Sequence, residues 1–528
     1  MLLKKYVSLL FLSLISLNEA LRILVWFPLF SKSHNYLGKG MCNHLLEAGH
    51  EVVHLTSFPS KDKRANLTEI DLSAIETEYK KQMKSNTDAF KLQNMVGKKN
   101  FGDSLFFFYI AYEVHRLAVE NEATKAFLSD TNQKFDAVIL EWFFSDFIAG
   151  IAPLFQAPLI WVGSTEAHWQ VLRTIDAIPN PAYNVDLFSL SSPPLSFLER
   201  VEELWTMAKK YVVINTMVVP FEKRIYNQVF PEIAAKRGVA LPSYEEAVYN
   251  GSFLFLFSHP SLGTPFRLPQ NAKYVGGYHI DTKVKALPKD LQKIMDEAKY
   301  GVVYFSMGSN LKSAEMSEHM KRSLLKMFSK LKQTVIWKFE EELSNVPANI
   351  HLIKWAPQQS IFAHPNLKMF ITHGGQLSTT EAIHFGVPVV GIPVFGDQYV
   401  NMKSAVDKGF GITVKLAEDM ADEIYDAVQE ILENPRYKDK AKELSAIYHD
   451  RPMTPGQEIV YWVEHVVRTK GAKHLKSTGV LVPIYQTLYL DFIALVAIAL
   501  TILYAGVKRI FSRRKQNQVS RNKKAKVN

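Results

Sequence analysis

Short apolar runs alternate with amphipathic stretches along most of the chain, an order that predicts strands followed by helices. The run from Leu21 to Pro28 predicts a buried strand. Ser31 to Ser33 predicts a loop and N-cap, and the helix expected from His34 to Ala48 stops at Gly49. A second strand is expected from Glu51 to Phe58. This order describes a βαβ unit, the building block of parallel sheets covered by helices.

The same order recurs between residues 368 and 398, which read KMFITHGGQLSTTEAIHFGVPVVGIPVFGDQ. Residues 368–371 predict a strand, Gln376 to Phe385 a helix, and Val387 to Pro393 a second strand. Gly374 and Gly375 lie in the turn before the helix. We therefore expect a second βαβ unit with glycines at the N-terminus of its helix.

The glycine turn of this second unit has the features of an anion site. Backbone N–H groups at a helix N-terminus have no partner within the helix, and glycine lets a diphosphate approach the backbone. His373 adds a donor, and Glu381 can accept hydrogen bonds from sugar hydroxyls. Asp397 and Gln398 follow the next strand, at the sheet edge where ligands bind in open α/β folds. These residues alone are also compatible with any nucleotide-binding α/β turn.

The pattern predicts two α/β domains. Phe135 to Leu140 and Ala157 to Val162 predict further parallel strands of the first domain. A helix from Asp290 to Ala298 and a strand from Gly301 to Ser306 open the second. The expected organisation is a signal peptide at 1–20, a first domain at 21–280, a second domain with a return helix at 281–487, a transmembrane helix at 488–507 and a basic tail at 508–528.

The formal net charge of +10 would suit a nucleic-acid-binding protein if it were spread over the domains. Instead, nine Lys and Arg and no acid lie between Lys508 and Asn528, and residues 1–20 add one net positive charge. Residues 21–507 are therefore neutral overall. The charge gives no support for nucleic acid binding.

Both ends of the chain predict a membrane protein. Lys4 and Lys5 precede an apolar run from Tyr6 to Leu17, and Ala20 suits the cleavage site of a secretory signal peptide; an uncleaved anchor is the alternative. Leu488 to Val507 is about a bilayer's thickness of apolar helix, although a buried core helix has a similar composition. Because a basic stretch follows this segment, the positive-inside rule places the tail in the cytosol.

This orientation gives a single-pass type I protein with residues 21–487 in the lumen. The last residues, Lys524 to Asn528, resemble the K-x-K-x-x retrieval signal of endoplasmic reticulum membrane proteins. Asn66 and Asn250 begin N-glycosylation sequons. Cys42 is the only cysteine, so no intrachain disulfide can form.

The stretch from Phe370 to Gln398 resembles the signature of the UDP-glycosyltransferase family, and Trp355-Ala356-Pro357-Gln358 lies where that family has its W-x-P-Q. Lys470 to Leu475 is similar to the segment before the anchor in membrane-bound animal members, and the form QLSTTEA looks like the insect branch. The resemblance covers nearly the whole chain. It implies the GT-B fold, in which two Rossmann-like domains face each other across a cleft.

The resemblance implies that the first domain binds the acceptor and the second binds a UDP-sugar. The expected donor contacts are uracil stacking on Trp355, uridine binding by Gln358, a phosphate contact at Ser309, diphosphate binding by His373 and the helix N-terminus at Gly375, ribose binding by Glu381, and sugar binding by Asp397 and Gln398.

The catalytic base implied by the resemblance is His34. It follows the first strand, and an unperturbed imidazole with a pKa of about 6.5 can take a hydroxyl proton. A carboxylate must orient this ring, and the family has an Asp after the strand that is expected to end at Leu140. This chain has Glu141 there, and Asp146 is the alternative if the loop bends back. If neither carboxylate reaches His34, activity would be low or absent.

The sequence contains no D-x-D triplet, so transfer without a metal or cofactor is expected. One-step displacement by a hydroxyl of a small lipophilic acceptor would invert the anomeric centre. Leu377 and Ser378 stand where many vertebrate members have Asn-Gly, which favours glucose over glucuronate as the donor sugar. Phe106 to Tyr109 and Trp161 are candidates for the acceptor pocket.

Three alternatives stay open at this level. Leu198 to Glu222 is either an amphipathic segment lying on the membrane or an ordinary surface helix. The chain is either a monomer or a homo-oligomer. A catalytically inactive sugar-nucleotide binder, or a scaffold for a partner glycosyltransferase, is the rival to an enzyme.

Overall fold

A computed structural model describes residues 20–61, 63–82, 92–97 and 104–524. Apart from Ala20, the predicted signal peptide lies outside the described residues, as does most of the predicted retrieval signal.

The first domain is built on a parallel sheet whose inner strands are almost wholly buried. Its strands are β1 (Arg22–Phe27), β2 (Glu51–Thr56), β3 (Leu67–Asp71), β4 (Ala137–Trp142), β5 (Leu159–Gly163), β6 (Phe253–Leu256) and β7 (Ala272–Tyr274). They are ordered β3-β2-β1-β4-β5-β6-β7. Apolar side chains on both faces of the inner strands are the reason for helices on both sides of the sheet.

Helices of the first domain connect these strands. They are α1 (Lys32–Glu47), α2 (Ala74–Gln82), α3 (Leu92–Met95), α4 (Ser104–Glu120), α5 (Glu122–Ser129), α6 (Ile151–Leu154), α7 (Trp169–Leu172), α8 (Phe197–Val213), α9 (Val219–Arg237) and α10 (Tyr244–Val248). A 3₁₀ turn at Phe147–Gly150 precedes α6, and one π-helical turn at Ile214–Val218 joins α8 to α9.

The second domain has its own parallel sheet, ordered β10-β9-β8-β11-β12-β13. Its strands are β8 (Val302–Ser306), β9 (Thr334–Lys338), β10 (Ile350–Ile353), β11 (Leu367–Thr372), β12 (Val389–Gly391) and β13 (Gly411–Thr413). Its helices are α11 (Lys289–Asp296), α12 (Glu318–Ser329), α13 (Gln358–Phe362), α14 (Gln376–His384), α15 (Gln398–Asp407), α16 (Ala421–Glu433) and α17 (Arg436–His449). Two parallel-sheet domains facing a cleft confirm the predicted GT-B architecture.

The chain returns to the first domain after α17. Helix α18 (Pro455–Arg468) packs on α1, and its residues Ile459, Val463 and Val466 join the apolar cluster under β1 and β4. The segment then passes 3₁₀ turns at Lys473–Leu475 and Thr478–Leu481 and a short helix α19 (Ile484–Thr487). Helix α18 therefore ties the end of the second domain to α1, the helix that carries His34.

The last helix, α20 (Leu490–Lys524), continues through the predicted membrane segment and most of the basic tail. Its apolar part is long enough to cross a membrane, and none of that part is buried in the described protein. The prediction of an apolar helix near 488–507 therefore agrees with the structure in position, although the helix itself runs on past Val507.

Most predicted elements of the two domains begin and end within two residues of those observed, but two of the differences matter. Helix α1 begins at Lys32, because Ser31 is the extended N-cap, so His34 is the third helical residue and not the first. Strand β4 continues to Trp142, which pairs with Gly163. Glu141 therefore lies inside its strand, where the sequence predicted it just beyond the end.

Candidate active site

The residues expected to bind the donor lie along one edge of the second sheet. Ser309, His373 and Asp397 follow the carboxyl ends of β8, β11 and β12, which are neighbours in the sheet. Ser306 is level with Thr372, so the turns beyond the strands start at the same height. Parallel strands thus bring together three turns that are far apart in sequence.

The turn after β11 holds His373 against two glycines. A Cβ atom at Gly375 would lie 2.6 Å from Nε2 of His373, and one at Gly308 would collide with the same ring. Gly374 has a φ of +83°, a conformation that favours glycine, and its carbonyl accepts a hydrogen bond from Nδ2 of Asn401 at 2.9 Å. The glycines therefore let the imidazole lie directly against the backbone.

Helix α14 starts at this turn and has free backbone donors there. Gly375 is its N-cap and offers no side chain to the first N–H groups. Burial, helped by the neighbouring Lys338 ammonium, lowers the pKa of His373 to about 4. The ring is therefore neutral near pH 7 and keeps one N–H to donate. Together with the positive end of the helix dipole, these donors suit an anion such as a diphosphate.

A network of side chains fixes Glu381 in the same helix. Its Oε2 accepts a hydrogen bond from Nε2 of Gln358 at 2.5 Å, and its Oε1 accepts from Nε2 of Gln359 at 3.0 Å and of His279 at 3.2 Å. Burial alone would raise the pKa of Glu381, but these bonds outweigh it and lower the pKa. An ionised carboxylate thus lies beside Gln358, as a ribose site requires.

The first domain reaches across the cleft to Trp355. The indole is half-exposed, and Nζ of Lys32 lies 4.1 Å from the ring centroid, within cation–π range. Nζ of Lys338 lies 5.9 Å from the same ring. Beside this contact, Oγ of Ser31 donates to Oδ1 of Asn310 at 3.2 Å. The first turn of α1, which also carries His34, therefore touches the expected uracil site.

Asp397 and Gln398 start helix α15 below the cleft. Oδ2 of Asp397 accepts from Nδ2 of Asn401 at 2.9 Å. Burial raises the pKa of Asp397, while that bond and the nearby His34 oppose the rise. Oε1 of Gln398 accepts two backbone N–H groups of the preceding loop, at 2.8 and 3.1 Å, so only its Nε2 is left for a sugar hydroxyl.

His34 and Glu141 meet at the carboxyl edge of the first sheet. Nδ1 of His34 donates to Oε1 of Glu141, whose side chain is fully buried. Trp26 of β1 pairs with Leu140 of β4, so Glu141 is level with the end of β1 from which α1 starts. The ring of Phe143 packs edge-on against His34 with 4.8 Å between centroids. Because Nδ1 is occupied, Nε2 is the nitrogen that can take a proton.

The carboxylate of Asp146 binds residues other than His34. Its carboxylate forms an ion pair with Arg173 and accepts a hydrogen bond from Nε1 of Trp142 at 2.8 Å. Its backbone N–H donates to Oε1 of Glu222 at 2.9 Å. The structure therefore brings Glu141, and not Asp146, to His34.

An aromatic cluster lies between His34 and the loop before Asp397. Phe107 stacks on Phe144 and on Phe188, with centroids 5.5 and 5.6 Å apart, and lies edge-on to Phe143. A Cβ atom at Gly396 would lie 2.9 Å from the Phe107 ring. The cluster thus extends from His34 to the second domain and forms an apolar wall in the cleft.

The other aromatic candidates differ in their positions. Phe108 and Trp161 are buried in the core of the first domain, and Tyr109 is half-exposed. Phe106 packs edge-on to Phe107 with 5.8 Å between centroids. Within this set, Phe107 has contacts on both sides of the cleft.

The two sequons differ in their surroundings. Asn66 is exposed and directly precedes the edge strand β3. Oδ1 of Asn250 accepts a hydrogen bond from Nζ of Lys476 at 2.7 Å, and Ser252 of the same sequon is buried.

Sequence reasoning missed three side chains of this cleft: Lys32, His279 and Lys338. Lys338 ends the apolar strand β9 as a buried cation, and its Nζ donates to the carbonyl of Gly308 at 2.9 Å. A lysine closing an otherwise apolar strand is a signal that the sequence did contain. His279 and Lys32 have no such signal, because their partners lie in the opposite domain.

Comparisons with known proteins agree with this geometry. The family model described as "UDP-glucoronosyl and UDP-glucosyl transferase" matches residues 22–525. The chain is 34% identical over 492 residues to UDP-glucosyltransferase 2 of Dactylopius coccus, covering 92% of this chain and 91% of the relative. It is 29% identical over 527 residues to 2-hydroxyacylsphingosine 1-beta-galactosyltransferase of Rattus norvegicus, covering 98% and 93%.

Solved structures share the fold. CalG4, the calicheamicin glycosyltransferase, superimposes with a TM-score of 0.55 at 17% identity, covering 85% of this chain and 99% of that one. The glycosyltransferase VinC in complex with dTDP gives 0.54 at 14% identity, covering 85% and 99%.

Proposed function

Because the chain belongs to the family of UDP-glucuronosyl and UDP-glucosyl transferases, an enzyme family that transfers a glycosyl group from a UDP-sugar, we propose a specific reaction for it. The enzyme moves glucose from UDP-glucose to a hydroxyl of a small lipophilic acceptor, with inversion and without a metal. The observation that carries this proposal is the hydrogen bond between His34 and the buried Glu141, at a cleft edge close to Asp397.

The base step follows from the geometry of this pair. Nε2 of His34 takes the proton of the acceptor hydroxyl as its oxygen attacks C1 of the sugar. Glu141 holds Nδ1–H and stabilises the imidazolium that forms. The bond between C1 and the diphosphate oxygen breaks, and the electron pair leaves with UDP. A single displacement of this kind turns an α-linked donor into a β-glycoside.

Stabilisation of the leaving diphosphate is assigned to the turn after β11. The N–H of His373 and the first amides of α14 face the anion, and Lys338 adds a buried positive charge nearby. The absence of a D-x-D triplet from the sequence supports transfer without a metal. Trp355, Gln358 and Glu381 would hold the uridine.

Glucose is proposed on two grounds. Leu377 and Ser378 give α14 the form seen in the insect branch, and the first relatives include named UDP-glucosyltransferases. UDP-glucuronate is the alternative donor, since UDP-glucuronosyltransferase 2B15 of Rattus norvegicus is also a relative, 31% identical over 406 residues. The apolar wall formed by Phe107, Phe144 and Phe188 supports a lipophilic acceptor.

The proposed location is the endoplasmic reticulum membrane, with α20 as a single anchor, both domains lumenal and the basic tail cytosolic. The apolar, unburied surface of α20 supports the anchor.

An assay of UDP release tests the proposed reaction. Purified enzyme is given a panel of phenols and alcohols with UDP-glucose or UDP-glucuronate, with and without EDTA. We expect turnover with UDP-glucose that EDTA leaves unchanged, and a β-glycoside product by NMR. UDP binding without turnover for any acceptor would favour the alternative hypothesis, a catalytically inactive sugar-nucleotide binder.

A further inference from the structure

Helix α8 presents an apolar stripe to the outside of the molecule. The exposed side chains are spaced as one helical face, and Leu198 and Trp205 are 74% and 63% exposed. The stripe consists of Phe197, Leu198, Val201, Leu204, Trp205 and Val212. Met217 in the π-turn and Phe221 at the start of α9, both more than half exposed, extend it.

The opposite face of α8 is fixed by buried polar contacts. Nζ of Lys210 donates to Oδ1 of Asp186 at 2.5 Å, and the backbone N–H of Asp186 donates to the buried Glu203 at 2.9 Å. A capping box formed by Ser196 and Glu199 fixes the start of the helix. Rotation of α8 to bury its stripe would break these contacts. The apolar face is therefore held outward by the fold.

This stripe lies close to the segment that leads into the anchor. Oη of Tyr244 donates to Oε2 of the buried Glu222 at 2.6 Å, so the end of the stripe at Phe221 lies next to the short helix α10. Asn250 follows α10 and accepts hydrogen bonds from Nζ of Lys476, and Ser477 donates to Asp176. The segment before α20 is thus docked on the first domain close to the end of the stripe.

We propose that the stripe, from Phe197 to Phe221, lies in the interface of the same lipid bilayer that α20 crosses. The occupant is lipid because the stripe continues from the docked segment to an apolar helix that nothing in the described protein covers. Arg200 and Lys209, both exposed on α8, can reach headgroup phosphates. The proposal rests on the proposed membrane anchor.

The inner face of α8 contacts the aromatic cluster around Phe107. Nζ of Lys210 lies 5.1 Å from the ring centroid of Phe188, which stacks on Phe107. One helix therefore separates the lipid surface from the apolar wall near His34. An acceptor dissolved in the bilayer would meet the enzyme on this side.

A cleavage assay on the full chain tests the docking. A site for a specific protease is inserted between Thr487 and Leu488, and the protein is reconstituted in phosphatidylcholine vesicles and then cut. We expect the wild-type body to sediment with the vesicles after cutting. A variant with Leu198→Glu, Val201→Glu, Leu204→Glu and Trp205→Glu should release at least ten times more body.

A matched control also adds four glutamates, on exposed apolar residues of the second domain, with Tyr300→Glu, Val406→Glu, Ala446→Glu and Ile447→Glu. It should sediment as wild type does. Thermal unfolding and UDP affinity, measured on each variant, show whether both domains are folded. Release of the uncut protein would overturn the anchor and this proposal with it. Release of the wild-type body only after cutting would overturn the docking alone.

Quenching gives an independent readout on the uncut chain. Vesicles of brominated phosphatidylcholine should quench wild-type tryptophan emission more than that of Trp205→Phe, because Trp205 is the most exposed tryptophan. Equal quenching in the two proteins would overturn the proposal. So would crosslinking that joins the stripe of one chain to that of a second copy and is lost in the four-glutamate variant.

Discussion

Nδ1 of His34 is hydrogen-bonded to Oε1 of Glu141, a carboxylate that no solvent reaches. The pair links the first turn of α1 to the end of β4, and both elements belong to the first domain. The donor residues belong to the second. The proposed base and the proposed donor residues thus lie in different domains, and mutations can separate their effects.

We expect His34→Ala to lower turnover by roughly two to four orders of magnitude, the usual loss for a general base. UDP affinity should stay nearly unchanged, because Glu381 and His373 are untouched. Turnover with phenol acceptors and titration calorimetry with UDP give the two values. Near-normal turnover in this variant would show that His34 is not the base.

Glu141→Gln should lower turnover strongly while UDP binding is retained, because an amide cannot stabilise the imidazolium. Glu141→Asp should also lose activity. The register of β4 with β5 fixes the backbone at Glu141, and aspartate is shorter by about 1.5 Å. Rate measurements over a pH series test both variants, and full activity in Glu141→Gln would contradict the dyad.

Asp146→Asn is the control for this pair, and it should act on stability. It leaves the Arg173 guanidinium buried without its charge partner, a loss of about 3–5 kcal/mol when one member of such a pair is removed. The melting temperature should fall while turnover per folded molecule stays close to wild type. A variant that folds normally but is inactive would make Asp146 the partner of the base.

Donor binding should fail in His373→Ala and in Glu381→Ala. The first removes the side-chain donor held against Gly375, and the second leaves Gln358 without the carboxylate that positions it. Titration calorimetry with UDP measures the loss, expected to be at least tenfold in each. Unchanged affinity in both variants would remove the basis for the donor site.

Acid should destabilise the first domain through its buried histidines. Burial lowers the pKa of His115 to about 3 and of His168 to about 4. The unfolded chain binds these protons below about pH 6.5, and the folded chain does not. The free energy of unfolding that these neutral histidines contribute is therefore complete above pH 6.5, and it is lost as the pH falls toward 4.

The measurement is thermal unfolding at pH values from 7.5 to 4.5. His168→Gln should make the fall in melting temperature shallower. The variant lacks one histidine whose lowered pKa corresponds to a pH-dependent change in the free energy of unfolding on the order of 3 kcal/mol. His319→Gln, at an exposed position, should follow the wild-type curve. A steep curve that His168→Gln leaves unchanged would contradict this account.

The orientation in the membrane is tested by glycosylation and protease protection. If the domains are lumenal, Asn66→Gln should remove a glycan that endoglycosidase also removes, because Asn66 is exposed. Protease added to intact microsomes should cut only the tail after Val507. Loss of the domains under that treatment would reverse the topology.

The sequence predicted those features that local patterns determine. Apolar runs and glycine stops located the strands and helices of both domains, and the donor residues from His373 to Gln398 lie in one continuous segment. The GT-B prediction is confirmed for this reason: each βαβ unit is local.

Features that depend on packing between distant segments could not be predicted from the sequence. The choice between Glu141 and Asp146 required the end of β4 and the position of Arg173, more than 25 residues away. The contact of His279 with Glu381 spans 102 positions. The helical spacing of α8 was visible, but which face it buries depends on Asp186 and Glu203.

The contact of Lys32 with Trp355 has a kinetic consequence. If uracil takes the indole face that Lys32 covers, the nucleotide and the lysine compete for one surface. Lys32 is two residues from His34 in the same helical turn, so a movement of that turn away from the indole would also move the proposed base. Substrate addition would then be ordered, with the nucleotide entering first and leaving last, and the acceptor would meet a base already set by the donor.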